Sequence, residues 1–181
     1  MPTDHDALAE LLRANSVRTG DFLLASGRRS PYYVDARRTT MSGRGQLLIG
    51  RVGLATLDAA RWTPDAVGGL TLGADPVAYA IAHAAAASGR PLDAFSVRKE
   101  AKSHGAGRQI EGPTEPGAAV VVIEDVVTTG GSALRAIDAM RAFGAHVLGV
   151  LALVDREEGG REAIVAAGHE LVSVFRVSEL V

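Results

Sequence analysis

Apolar and polar positions along this chain fall into blocks that read as a succession of helices and strands. Leu8, Leu11 and Leu12 recur at helical spacing over residues 5–14, behind a Thr3-Asp4 start signal. Residues 16–38 break that rhythm. There Phe22-Leu23-Leu24 and Tyr32-Tyr33-Val34 are short apolar pieces separated by Ser26-Gly27-Arg28-Arg29-Ser30-Pro31, the pattern of a small hairpin-like lobe. Residues 45–60 return to helical spacing, with Leu47, Leu48, Val52 and Leu57 on or near one side. A regular alternation follows. Strands are predicted at 66–70, 93–97, 118–123, 146–154 and 171–177, and helices at 76–88, 131–143 and 161–167. Gly89 and Gly144 stop two of the helices. The unbroken apolar run over 118–123 implies a strand buried on both faces. Strand-helix alternation of this kind predicts an α/β fold with a central parallel sheet flanked by helices, here carrying a small N-terminal hood over residues 1–38. Ligands of such sheets bind at the carboxyl ends of the strands, where the 71–75 loop, the 98–117 loop and the segment after Ile123 collect.

Composition narrows the class. The 181 residues fit a single domain, 1–181, large enough to bury roughly 70% of its unfolded surface. A hydrophobic content of 47% excludes intrinsic disorder, and the absence of cysteine excludes disulfides, thiolate metal sites and a cysteine nucleophile. A net charge of −2 provides no general field for nucleic acid or an anionic membrane. The opening MPTDHDALAE lacks a basic region followed by an apolar core, and the mostly apolar run over 77–87 is too short to span a bilayer and contains His83. A soluble cytoplasmic protein is the expectation.

The stretch from Val120 to Ser132 carries the most chemistry. Four apolar residues lead to adjacent carboxylates, Glu124 and Asp125. Val126 and Val127 then precede a small-residue loop, Thr128-Thr129-Gly130-Gly131-Ser132, from which a helix starts. A glycine-rich approach to a helix N-terminus is an anion site, and the three hydroxyls add donors for a phosphate. The acid pair would repel phosphate but suits vicinal hydroxyls or a metal beside it. Together they fit a ribose phosphate. The alternative is a capped helix start with solvated acids. The pattern is neither a P-loop nor a dinucleotide fingerprint. A second cluster, Arg98-Lys99-Glu100-Ala101-Lys102-Ser103-His104-Gly105-Ala106-Gly107, gathers four cationic or titratable donors in a long loop with Gly112 beyond it. Lys99 and Lys102 are the only lysines in a chain that otherwise uses arginine. A loop able to close over a site and meet a polyanion with positive charge is one reading, and a solvated surface loop is the other.

The 120–132 segment resembles the 5-phosphoribosyl-1-pyrophosphate (PRPP) signature of the type I phosphoribosyltransferases. The Arg98-Lys99-x-Ala101-Lys102-x-His104-Gly105 pattern resembles, more specifically, the catalytic loop of the orotate phosphoribosyltransferase family. Ser26-Gly27-Arg28-x-Ser30-Pro31-Tyr32-Tyr33 is similar to that family's segment near the orotate ring, and Asp155-Arg156 to its orotate-carboxylate site. The resemblance covers essentially the whole chain and implies transfer of phosphoribosyl from PRPP to orotate, giving orotidine 5′-monophosphate and pyrophosphate. It further implies PRPP on Glu124 to Ser132 together with Arg98, Lys99, Lys102 and His104. Lys102, Asp125, Lys99 and His104 would serve catalysis, and Thr128, Arg156, Tyr32 and Tyr33 would meet orotate. Mg²⁺ would be carried mainly by PRPP, with no dedicated protein metal site, and a homodimer would share its active sites between subunits. Two departures stand out. Many relatives place lysines that contact ligand where this chain has Ala25 and Gly73. The alternatives are a phosphoribosyltransferase for another base, disfavoured by Arg156 and the lysine loop, and a non-enzymatic PRPP-sensing regulator, which would need a nucleic-acid-binding surface or added domain and is disfavoured by low basicity and by the single short helix at the N-terminus. His5, His83, His146 and His169 read as structural or solvated, Trp62 as a packing residue, and Asp75 as a loop cap, with the orienting of a bound water or a donor as its other reading.

Overall fold

The computed structural model describes residues 2–23, 29–100 and 109–181. Helix α1 (Asp4–Asn15) starts where Thr3 accepts from the Asp6 amide and the Asp6 carboxylate returns the bond to the Thr3 amide, a capping box that satisfies two orphan donors. Strands β1 (Val17–Leu23) and β2 (Arg29–Val34) pair antiparallel as the two-stranded hood. A one-turn helix α2 (Arg37–Thr40) leads into α3 (Gly43–Ala59), whose Ser42 cap accepts from the Gly45 amide.

The remaining elements are β3 (Ala66–Leu70), α4 (Ala74–Ala87), β4 (Asp93–Val97), β5 (Ile110–Glu111), β6 (Ala119–Val127), α5 (Gly131–Phe143), β7 (His146–Asp155), α6 (Gly160–Ala166) and β8 (Leu171–Arg176). They build a six-stranded sheet in the order β5-β4-β3-β6-β7-β8. Every pairing is parallel except β4 with β5. Strand alternation splits the core in two. Val121, Ile123, Leu151 and Leu153 pack with Leu8, Leu12, Ile49, Leu57 and Ile81 of the α1, α3 and α4 layer. Val120, Val122, Val150 and Ala152 pack with Ile137 and Met140 of α5 and with Ile164 of α6. Period-two side-chain direction is what lets one apolar run serve both layers. Trp62 is buried in the first layer, as expected of a packing residue.

Three expectations need correction, and one further element has no counterpart in them. The 98–117 segment is not loop throughout, since β5 adds an antiparallel edge to β4. Strand β6 does not end at Ile123 but continues to Val127, because β7 offers Ala152, Val154 and Asp155 as pairing partners. Helix α2 was not legible as a separate element. Asp75 is not a loop cap: α4 begins at Ala74, and the buried Asp75 carboxylate accepts from Ser96 Oγ at 2.7 Å. No helix among the described residues is long and apolar enough to cross a membrane.

Candidate active site

The carboxyl ends of β3 and β6 open into a cavity of about 400 Å³. On its floor, β6 delivers Glu124 and Asp125. Glu124 is 6% exposed, and its Oε1 has no hydrogen-bond partner. Burial, assisted by the neighbouring charge of Asp125, pushes its carboxyl up to about 8. Burial also raises Asp125, opposed by the amide of Val126, which donates to Asp125 Oδ1 at 2.9 Å. Buried carboxyls shift this way because desolvation penalises the charged form.

Beside the acids, Thr128 to Ser132 wrap a smaller recess of about 90 Å³ at the start of α5. Gly130 sits at φ +81° and ends the loop in the left-handed region. A Cβ there would stand 2.9 Å from the carbonyl oxygen of Gly160. Glycine therefore satisfies both the backbone angle and the close approach of the start of α6. The first amides of α5 point out of the helix without intrahelical acceptors, which is the geometry of an anion cradle.

Cations ring the cavity. Lys99 and Arg156 line it, as do Arg37 and Arg135, which the sequence reading did not single out. Arg37 Nε donates to Asp35 Oδ1 at 2.8 Å, and the Arg37 charge offsets a small part of the upward shift that burial imposes on Asp125. Arg135 is one turn into α5 and donates to Ser132 Oγ at 3.3 Å. Neither belongs to a recognisable motif: the packing of α5 on β6 brings in Arg135, and the chain that follows β2 brings in Arg37. Arg98 is turned to β5, where its Nε donates to Glu111 Oε1 at 2.9 Å.

Arg156 is held from below. Asp155, 2% exposed, accepts from the Glu157 amide at 2.9 Å and from Arg161 Nε at 3.0 Å, which fixes the loop after β7. The Arg156 guanidinium lies 5.4 Å over the Tyr32 ring. Tyr33 lines the cavity itself, whereas Tyr32 serves as the platform beneath Arg156. Lys102 and His104 lie outside the described residues, as do Ala25, Ser26, Gly27 and Arg28. At Gly73, a Cβ would come within 2.5 Å of Asp125 Oδ1. The 71–73 turn thus closes directly on the acid. Among the described residues, no three His, Asp or Glu side chains cluster as a metal cage.

Adjacent carboxylates at a strand end, a glycine-rich helix start beside them and cations opposite form the layout of a phosphoribosyl-transfer site. Residues 49–166 match the family model of the phosphoribosyl transferase domain. Orotate phosphoribosyltransferase of Aquifex aeolicus is 49% identical over 180 residues, covering 98% of this chain and 97% of that one. The Mycobacterium tuberculosis enzyme of the same name, solved with Fe(III) dicitrate, superposes with a TM-score of 0.87 at 50% identity, covering 98% and 99% of the two chains. The same enzyme in complex with PRPP gives a TM-score of 0.84 at 46% identity, with coverage of 98% and 99%. The chain belongs to the orotate phosphoribosyltransferase family.

Proposed function

We propose that the protein transfers the 5-phosphoribosyl group from PRPP to a ring nitrogen of orotate, releasing pyrophosphate and forming orotidine 5′-monophosphate, a step of pyrimidine synthesis. The observation that carries this reading is the meeting, in one cavity, of the Glu124-Asp125 pair, Thr128 and Ser132 at the two ends of the 128–132 turn, and Arg156. PRPP needs a phosphate cradle and hydroxyl acceptors in sequence, and orotate adds a carboxylate that a guanidinium recognises bidentately. In this reading the amides and hydroxyls of Thr128 to Ser132 hold the 5-phosphate. Asp125 and Glu124 hydrogen-bond the ribose hydroxyls. The raised pKa of Glu124 supports its role, because a protonated carboxyl donates to a hydroxyl without adding charge beside the phosphates.

Rupture of the bond at the anomeric carbon leaves positive character on the ribose, as in glycoside chemistry. Asp125 lies where a negative charge would favour that state. Lys99, with Lys102 and His104 of the same segment, supplies cations for the departing pyrophosphate, and Arg98 would join them only by leaving Glu111. Contacts that strengthen as charge develops lower the barrier. Mg²⁺ would arrive on the PRPP phosphates, an arrangement this ion favours, and would neutralise charge on the leaving group. A two-fold homodimer is part of the proposal, with Lys99 in its own subunit's cavity and the rest of the 98–107 segment, Lys102 and His104 above all, serving the PRPP site of the other subunit.

Orotate consumption followed by absorbance, with and without PRPP and Mg²⁺, tests the activity. Loss of signal that requires all three is expected. Equal turnover with uracil or a purine base would overturn the choice of orotate.

A further inference from the structure

One contact in the base subsite is not called for by phosphoribosyl transfer. Arg156 Nη2 lies 2.7 Å from Glu158 Oε1, and the two side chains are only 10% and 15% exposed. The contact is an ion pair without hydrogen-bond alignment, since Arg156 Nε and Nη2 are both buried and neither has a hydrogen-bond partner. Those two nitrogens form the side-on edge by which a guanidinium grips a carboxylate with two parallel bonds. Glu158 therefore neutralises Arg156 from beside that edge without making the two parallel bonds the edge can offer.

We propose that Glu158 is a positioning residue of the base subsite. It is a resident carboxylate that pairs with Arg156 while the subsite is empty and is displaced from it by the carboxylate of orotate. The proposal rests on the assignment of Arg156 to that carboxylate. A buried guanidinium without a counter-ion is unfavourable, so Glu158 stabilises the empty state. Binding reads the difference between empty and occupied states, and orotate is credited only with what it adds over Glu158. Orotidine 5′-monophosphate retains the same carboxylate, so Glu158 also weakens retention of the product. PRPP makes no contact with this pair in the proposed arrangement and is indifferent to it. The consequence is a subsite that demands a carboxylate yet releases it, because a neutral base cannot displace Glu158 from Arg156.

Glu158→Gln keeps the shape and removes the charge. The KM for orotate should fall on the order of tenfold, and orotidine 5′-monophosphate should bind tighter by a similar factor, the scale of one close charge-pair coupling. The KM for PRPP should stay unchanged. Glu158→Asp, which withdraws the carboxylate by one methylene, should move the same quantities in the same direction by less. It serves as the test if the Gln variant melts too low to assay. An unchanged or raised orotate KM in the assayable variant overturns the proposal. Arg156→Ala separates the two failures. If it weakens orotate while Glu158→Gln does nothing, only the role of Glu158 is lost. If it leaves orotate unaffected, Arg156 has been given the wrong ligand.

Discussion

Glu124 is the residue at which burial and chemistry conflict most directly. Its carboxyl is held up at about 8 by burial first and by Asp125 second. A carboxyl whose folded pKa exceeds its unfolded value contributes stability below the ordinary glutamate pKa, and that contribution drains away as pH rises through the folded value. Wild type should therefore lose stability relative to Glu124→Gln between about pH 4.5 and pH 8, by on the order of a few kcal/mol. Paired thermal melts at pH 5 and pH 9 check this: the two proteins should differ little at pH 5, and the Gln variant should be the more stable at pH 9. Parallel melting curves at both pH values would contradict a buried, neutral Glu124. Arg156 offers a second single-residue test. Arg156→Ala should raise the orotate KM by two orders of magnitude or so, the scale of a lost charged hydrogen-bond pair, and leave the PRPP KM within about twofold. Steady-state kinetics varying each substrate in turn separates the two effects. A rise confined to PRPP would place Arg156 in the other subsite.

Among the elements, the β6–α5 connection combines fold and chemistry. The same turn that reverses the chain from strand to helix presents its amides to a ligand, so its backbone angles are functional as well as structural. Gly130→Ala tests this coupling. An alanine at φ +81° costs about 1–2 kcal/mol of backbone strain. Its Cβ would also press on the Gly160 carbonyl at 2.9 Å, and that neighbour is backbone with little freedom to yield. A fall in melting temperature of roughly 4–10 °C is expected, together with a raised PRPP KM. Calorimetry and a PRPP titration measure the two effects. A variant that melts normally with unchanged PRPP kinetics would show that the turn has more slack than its contacts indicate. The extension of β6 follows from the same neighbourhood. Glu124, Val126 and Val127 find partners on β7, and pairing with a long neighbour outweighs the weak strand preference of an acidic pair.

Across the whole molecule, the proposed dimer makes a prediction that no single subunit can satisfy. Lys102→Ala and Asp125→Asn should each be nearly inactive, since loss of one preorganised group typically lowers the rate on the order of 10²–10³. If Lys102 of the 98–107 segment serves the partner's site, random exchange puts both defects in one site of each mixed dimer and leaves the other intact. Mixing equal amounts should then restore roughly a quarter of wild-type activity. Activity measured before and after confirmed subunit exchange decides the matter. A mixture that remains inactive after exchange would mean that each segment serves its own subunit.

The order of strands and helices, the parallel sheet and the 120–132 segment were legible in the sequence because each is a local pattern. Periodicity announces β3, α5 and β7, and the run from apolar strand to acids to glycine-rich turn is contiguous. Asp155-Arg156 was legible as a short motif for the same reason. What tertiary structure alone decided is which distant residues share a solvent-poor space. Arg37 and Asp35 come from the hood side, and Arg135 from α5. None has a signal within its own neighbourhood, because their relevance depends on packing around β6. The raised pKa of Glu124 is likewise a property of the enclosure, since desolvation depends on every element that covers the carboxyl. The pairing of Arg156 with Glu158 needs only a short span of chain, yet its meaning depends on Tyr32 beneath it and on burial that excludes water. Sequence patterns determine backbone hydrogen bonding and apolar faces, which are short-range. Dielectric surroundings and charge partners are set by the assembled molecule.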